Sequence, residues 1–324
     1  MPPPPRVLLL TDAPMAGHAA PGHPERPERL AAVESGVADG AAIAGAQLDR
    51  PRVEPATRGA LERVHSPIYL ERLEAAAHDG LGWIDMDTYI GPGSWEAARL
   101  AAGATIQAAR SVASGDAAVA FAVVRPPGHH AGRQRAAGFC LVNNVAVAVG
   151  ELRAAGLAQR IAILDWDVHH GDGTQAIYDE DPDLCYASTH QMPLYPGSGR
   201  ADERGSAAGI GSKHNAPLSP GSGDEAFLRA WRETLLPAVT AFAPEAILAS
   251  AGYDAHRLDP LAELGVTSDG FAALGAEVGR LARQLGLPGV ALTLEGGYDL
   301  DALRESAAGT VTGILGGLAG TDRA

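Results

Sequence analysis

Between Ile161 and Thr174 the chain reads IAILDWDVHHGDGT, an apolar run that ends in three acids and two histidines: Asp165, Asp167, His169, His170 and Asp172. Delivering so many ionisable groups to one strand end is costly unless something compensates the charge. A divalent metal ion would. Asp167 and His169 stand two residues apart, so in extended backbone both side chains point to one side, and a carboxylate oxygen and an imidazole nitrogen can reach a single ion.

Three other apolar runs end in polar clusters. Val119–Val124 leads into RPPGHHA, with Arg125, His129 and His130; Ala246–Ala251 leads into GYDAH, with Tyr253, Asp254 and His256; Val290–Leu294 leads into EGGYD, with Glu295 and Tyr298. Ligands of open α/β sheets bind beyond the carboxyl ends of the strands, so parallel neighbouring strands would bring all four clusters to one edge. The simplest assembly uses Asp167, His169 and Asp254 as three ligands, leaving a position open for water or substrate. Two carboxylates make the set hard enough for Fe²⁺, Mn²⁺ or Co²⁺ as well as Zn²⁺. His129 and His130 can move a proton to or from a metal-activated water, with Asp165 and Asp172 to orient them. Tyr298, behind Gly296 and Gly297, can donate to a developing oxyanion. Together these parts describe metal-assisted hydrolysis of an amide. Taken singly, His129–His130 reads as a turn, Asp254 as a loop acid, and Tyr298 as a half-buried aromatic; the combination favours chemistry.

The elements that must position these groups alternate. Strand-like runs at Val7–Leu10, Val119–Val124, Ile161–Leu164, Leu184–Ser188, Ala246–Ala251 and Val290–Leu294 are mostly continuously apolar, as in a parallel sheet buried on both faces. Helical stretches lie between them at Glu25–Val37, Ser94–Ser114, Val145–Ala155, Asp224–Phe242 and Ser268–Leu285, with Ser94, Asp224 and Ser268 as expected caps. The Gly/Pro/Ser-rich stretch 193–223 reads as a long functional loop, and residues 1–324 as a single domain. His65 reads as structural; His18 and His23 fall in a Pro- and Arg-dense segment that suits a surface or a substrate-entrance loop.

The 324 residues carry a net charge of −14, which argues against general nucleic-acid binding and is compatible with cationic substrates. Lys213 is the only lysine among 25 lysines and arginines, which reads as a compositional bias. Two cysteines, Cys140 and Cys185, make no disulfide framework. MPPPPRVLLL has too short an apolar run for a signal peptide or membrane span, so a cytoplasmic protein without membrane attachment is expected.

RPPGHHA, GFCLVNN, DWDVHHGDGT, SAGYDAH and EGGYD, in this order, resemble the zinc-dependent deacetylase family of histone deacetylases, bacterial histone-deacetylase-like amidohydrolases and acetylpolyamine amidohydrolases. The resemblance runs from PGHPERPERL near residue 21 to the GGY motif near 298. It implies an arginase/deacetylase-like three-layer α/β fold, with a central eight-stranded parallel sheet and helices on both faces. It implies Asp167, His169 and Asp254 as zinc ligands, His130 as general base, His129 as its partner, and Tyr298 as the residue polarising the scissile carbonyl. Asp165 and Ser188, with backbone oxygens of Asp167 and His169, are implied ligands of a structural K⁺. Gly138 and Phe139 match one wall of an acyl-lysine tunnel, Tyr195 the opposite wall, and Asp87 a rim carboxylate. Where many relatives have Asn, this chain has Asp172, expected to raise the His130 pKa through its charge. Gly171 stands where two-metal arginase relatives have an added acid, so one catalytic metal is expected.

The implied reaction removes acetyl or a short acyl group from an amine such as acetyl-lysine, in a peptide or a small molecule. An acetylpolyamine or other small-molecule amide hydrolase is the alternative, and an acyl-lysine reader with little chemistry is a third reading. Homo-oligomerisation is left open.

Overall fold

The computed structural model describes residues 3–321. Its strands are β1 (Arg6–Leu10), β2 (Gln47–Asp49), β3 (Gly82–Trp83), β4 (Tyr89–Ile90), β5 (Val119–Ala122), β6 (Ile161–Asp165), β7 (Leu184–Gln191), β8 (Lys213–Leu218), β9 (Ala246–Ala251) and β10 (Val290–Leu294). Eight form one sheet in the order β2-β1-β5-β10-β9-β6-β7-β8, every pairing parallel. The remaining two make a short antiparallel hairpin. The architecture is the expected α/β arginase/deacetylase-like one, with helices on both faces.

Strands β5, β6, β7, β9 and β10 are buried along their whole length, which is why they read as mainly apolar runs, β7 turning polar only towards its carboxyl end. The edge strands β2 and β8 escape that pattern. Strand β8, KHNAPL, lies inside the stretch expected to be one long loop; it is polar and holds a proline, which a sheet accepts at its edge.

The helices are α1 (Glu28–Ile43), α2 (Arg58–Glu62), α3 (Pro67–Asp79), α4 (Ser94–Ala113), α5 (Asn144–Ala154), α6 (Asp172–Ile177), α7 (Asp224–Ala230), α8 (Leu236–Phe242), α9 (Ser268–Gln284) and α10 (Leu300–Ala319). The expected helix Asp224–Phe242 is interrupted at Trp231–Leu235 by a π-helical turn, just before Pro237, which has no N–H to give the preceding turn. The expected caps sit one residue off. Thr267, not Ser268, accepts from Gly270 N; Ser94 and Asp224 are first helical residues after Gly93 and Gly223. Asp224 instead bonds Thr267 through its N and Oγ1, joining two helix starts.

Helices α4 and α5 pack together, and α4 covers β5, β10 and β1; α1 and α9 each pack against α10. Small residues set that approach. A Cβ at Gly279 would lie 2.2 Å from Ile314 O, one at Gly313 2.2 Å from Ala272 O, and one at Gly36 2.2 Å from Arg304 O. A Gly279→Val substitution is therefore expected to destabilise the fold by roughly 1–3 kcal/mol. Urea unfolding checks this; an unchanged midpoint would mean that α9 and α10 do not meet as closely as described.

Candidate active site

Strands β5, β10, β9 and β6 are consecutive in the sheet, so the four polar clusters that follow them converge at its carboxyl edge. Asp167, His169 and Asp254 each offer one ligand atom, all within 4.8 Å of one another. Backbone amides fix the carboxylates: Val168 N donates to Asp254 Oδ1 at 2.8 Å, His169 N to Asp167 Oδ1 at 2.9 Å, and Gly296 N to Asp167 Oδ2 at 2.7 Å. His169 Nδ1 lies between the acids, 3.2 Å from Asp167 Oδ1 and 3.3 Å from Asp254 Oδ2.

Two observations fit this group to a cation. Asp254 Oδ2 is buried and makes no hydrogen bond, leaving an orphaned anionic acceptor. Gly252 and Gly296 also clear space around the acids. A Cβ at Gly296 would come within 2.0 Å of Asp254 Oδ2 and 2.6 Å of Asp167 Oδ2, and one at Gly252 within 2.2 Å of the latter. The electrostatics agree. Burial and the charge of Asp167 push Asp254 up. Burial opposes the charged form of Asp167, yet the His129 charge and the His169 contacts hold it well below the carboxylate range. Burial also works against the charged His169, but the two aspartates raise it to about 10. A positive charge belongs between these carboxylates.

The two neighbouring histidines have different surroundings. His129 Nδ1 is hydrogen-bonded to Asp165 Oδ2 at 3.1 Å, and Tyr186 Oη donates to the same oxygen at 2.9 Å. His130 Nδ1 is bonded to Asp172 Oδ1 at 2.8 Å, whose other oxygen accepts from Arg135 at 2.7 Å. The rings lie 4.0 Å apart. Burial disfavours the His129 imidazolium, but Asp167 and Asp165 raise its pKa well above the ordinary value. His130 goes the other way, down to about 3, through burial and the His129 charge. The expected upward push from Asp172 exists but is outweighed, so the net direction reverses the expectation from sequence.

Tyr298 follows Gly297, whose φ of +112° suits glycine. Burial and the field of Asp254 raise its phenol well above the ordinary value. Phe139, at φ +68°, meets the Tyr298 ring edge-on at 5.9 Å. The Tyr195 ring lies 5.1 Å from that of His130 and 6.2 Å from that of His169. A Cβ on Gly138 would strike the His130 ring at 2.5 Å. Asp87 is half-buried nearby; Thr88 Oγ1 donates to it at 3.2 Å and accepts from Phe139 N at 3.3 Å. His23 packs on Phe139 at 4.6 Å and bonds Asp87 O, which favours the entrance-loop reading of its segment. Beneath the histidines, Asp165 and Ser188 are register partners on β6 and β7, both fully buried; Ser188 Oγ is bonded to His190 Nδ1 at 2.9 Å. His65 is buried and structural in its contacts, holding Asn143 N and Gly132 O.

A support layer was not anticipated from sequence. Glu295 Oε2 accepts from Gly128 N at 2.6 Å and His129 N at 3.1 Å, fixing the turn that carries the histidine pair; burial pushes it up to about 7. Arg29 donates to Gly297 O and Glu295 O and lies 5.0 Å over the Tyr298 ring. Glu25 holds both Arg29 and Arg125, all three buried. The spacing of Glu25 and Arg29 by one helical turn was the available signal.

The sequence profile described as the Histone deacetylase domain matches residues 23–314. This chain belongs to the histone deacetylase family. It is 40% identical to a probable deacetylase of Archaeoglobus fulgidus over 94% of this chain and 83% of that one. It is 41% identical to a histone deacetylase-like amidohydrolase of Pseudomonas aeruginosa over 86% of this chain and 73% of that one. A crystal structure of the HDA15 HD domain superposes with a TM-score of 0.89 at 36% identity, covering 97% of this chain and 90% of that one. As a member of this family the chain is a hydrolytic deacetylase acting on acylated amines, and the family is generally metal-dependent. Among the described residues no helix is long and apolar enough to cross a membrane.

The Glu25 carboxyl contributes acid sensitivity to this deacetylase scaffold. Burial opposes its charge, but Arg125 and Arg29 hold it at about 2 rather than 4.5. A depressed carboxyl pKa contributes stability above 4.5 that is lost as pH falls towards 2. Glu25→Gln, which leaves two buried guanidinium groups without their anion, is expected to cost roughly 3–5 kcal/mol at neutral pH and to flatten the stability profile between pH 4.5 and 2. Denaturant titrations across pH check both; equal profiles would remove Glu25 from that role.

Proposed function

We propose that this chain is a zinc-dependent amidohydrolase, a single catalytic domain that removes acetyl or short acyl groups from an amine such as acetyl-lysine. The observation that carries the reading is the buried Asp254 Oδ2, which lacks a hydrogen bond, beside Asp167 and His169. These three would hold Zn²⁺, with Fe²⁺, Mn²⁺ or Co²⁺ as hard-ligand alternatives. When bound, the ion supplies Lewis-acid polarisation of the acyl carbonyl and an activated water.

The protein side of the reaction follows from the surroundings of each group. His130, pushed down to about 3, is neutral at physiological pH and free to take a proton at its Nε2, while Asp172 holds its Nδ1. His129 keeps its proton, held by Asp165, and contributes positive charge where oxyanion charge develops. The proton taken by His130 is then available to the leaving amine. Tyr298 keeps its phenolic proton and can donate it in a hydrogen bond to the carbonyl oxygen. Phe139, Gly138 and Tyr195 would flank the acyl chain and its methylene stem, excluding water. Asp87 would receive polar groups of the substrate at the rim. Asp165 and Ser188, with backbone oxygens of Asp167 and His169, are the proposed K⁺ ligands. Two free, buried cysteines suit a cytoplasmic setting.

A second reading, deacetylation of acylated polyamines, is favoured by a second acid next to Asp87, Asp85, whose Oδ1 accepts from Asp87 N, and by the −14 net charge. Rates on acetyl-lysine peptide and acetylputrescine decide between them. For either substrate, Tyr298→Phe should lower turnover by roughly 10²–10³-fold, the scale of one lost oxyanion donor, with metal content unchanged. Full activity in this variant would take Tyr298 out of the mechanism.

A further inference from the structure

The chain's only lysine sits in an unusual place. Lys213 is fully buried at the start of the edge strand β8. Its Nζ donates to Leu184 O at 2.9 Å, Asp181 O at 3.2 Å and Ser212 Oγ at 2.5 Å. No carboxylate is among these partners. The Asp181 carboxylate is held by Arg153 at 2.5 Å and that of Asp179 by Ser206 at 2.5 Å. Burial lowers the ammonium from 10.5 to about 8, which leaves it charged at neutral pH. Its direct contacts are thus all neutral oxygens, the kind of ligand with which proteins hold dehydrated monovalent cations, while the carboxylates of Asp181 and Asp179 favour its charge through space.

Residue choice points the same way. Of 25 lysines and arginines only this one is lysine. An arginine fork spreads its donors in a plane, whereas an ammonium is a compact charge with three donors. Three acceptors converging on one point fit the second and not the first.

We propose that Lys213 is a built-in structural cation, its ammonium filling an oxygen cage that would otherwise take a monovalent ion such as potassium or ammonium. The cage ties the turn before β7 to the start of β8. Ser212 reinforces it, donating to Gly209 O at 2.7 Å and accepting through its carbonyl from Tyr186 N at 3.0 Å. Strand β7 in turn carries Tyr186 and Ser188 to the floor of the site, so the cage fixes the strand on which Asp165 leans.

Thermal unfolding of Lys213→Ala in chloride salts of equal ionic strength tests this. With N-methylglucamine, too large for the cage, the variant should melt roughly 5 °C or more below the unsubstituted protein. Potassium or ammonium should restore at least half of that loss in a saturable way. The unsubstituted protein, run in the same salts, accounts for any response of the proposed K⁺ site at Asp165 and Ser188. Lys213→Met, which fills the space without charge, should be destabilised and not rescued. Parallel salt responses in the alanine variant and the unsubstituted protein would overturn the proposal, as would a methionine variant that melts at the unsubstituted temperature. If Lys213→Ala folds only when potassium or ammonium is present, that supports it; failure to fold in every salt overturns it.

Discussion

Four buried carboxylates at the carboxyl edge of one sheet set the terms for this structure. Asp165, Asp167, Asp254 and Glu295 are each no more than 1% exposed, and like charges so placed repel and lose hydration. Each is satisfied differently. Asp165 has His129 and Tyr186, Asp167 has backbone amides and His169, and Glu295 has the amides of the histidine turn. Asp254 alone among them retains a buried oxygen without a hydrogen bond. A cation between Asp167 and Asp254 would complete the accounting, and it accounts for the glycines at 252 and 296, where side chains would occupy the space.

The same constraint separates the two histidines. Adjacent imidazoles in one low-dielectric site cannot both hold a proton cheaply. His129 faces the acids and is held charged; His130 is turned to an aspartate that it shares with Arg135 and is held neutral. In the proposed mechanism, the division of labour between a proton acceptor and a fixed positive charge would follow from which carboxylate each ring meets. Behind them Glu25, Arg29 and Arg125 form a second buried charge group that braces the Gly296–Tyr298 segment from the N-terminal side.

What the sequence made legible follows from burial. Interior strands such as Ile161–Asp165 must be apolar on both faces, so they stand out, and their polar ends stand out against them. Edge strands need no such composition. Gln47–Asp49 and Lys213–Leu218 were missed for that reason, and α10 because glycines at its packing face dilute a helical signal. The clusters at Asp167, His169, Asp254, His129, His130 and Tyr298 could be gathered because each follows a recognisable strand. Glu25 and Arg29 could not be placed, since their partners Arg125, Glu295 and Gly297 lie far away in sequence. Nor could the direction at His130 be foreseen, because it depends on burial and on the charge of its neighbour.

The central claim, that the carboxylate pair exists to hold a catalytic cation, is tested most directly by measuring bound zinc and acetyl-lysine hydrolysis together in the unsubstituted protein and in Asp254→Asn. The account predicts bound metal and turnover in the first, and loss of both in the second with its circular dichroism spectrum preserved. Retained turnover in a metal-free Asp254→Asn protein would contradict it.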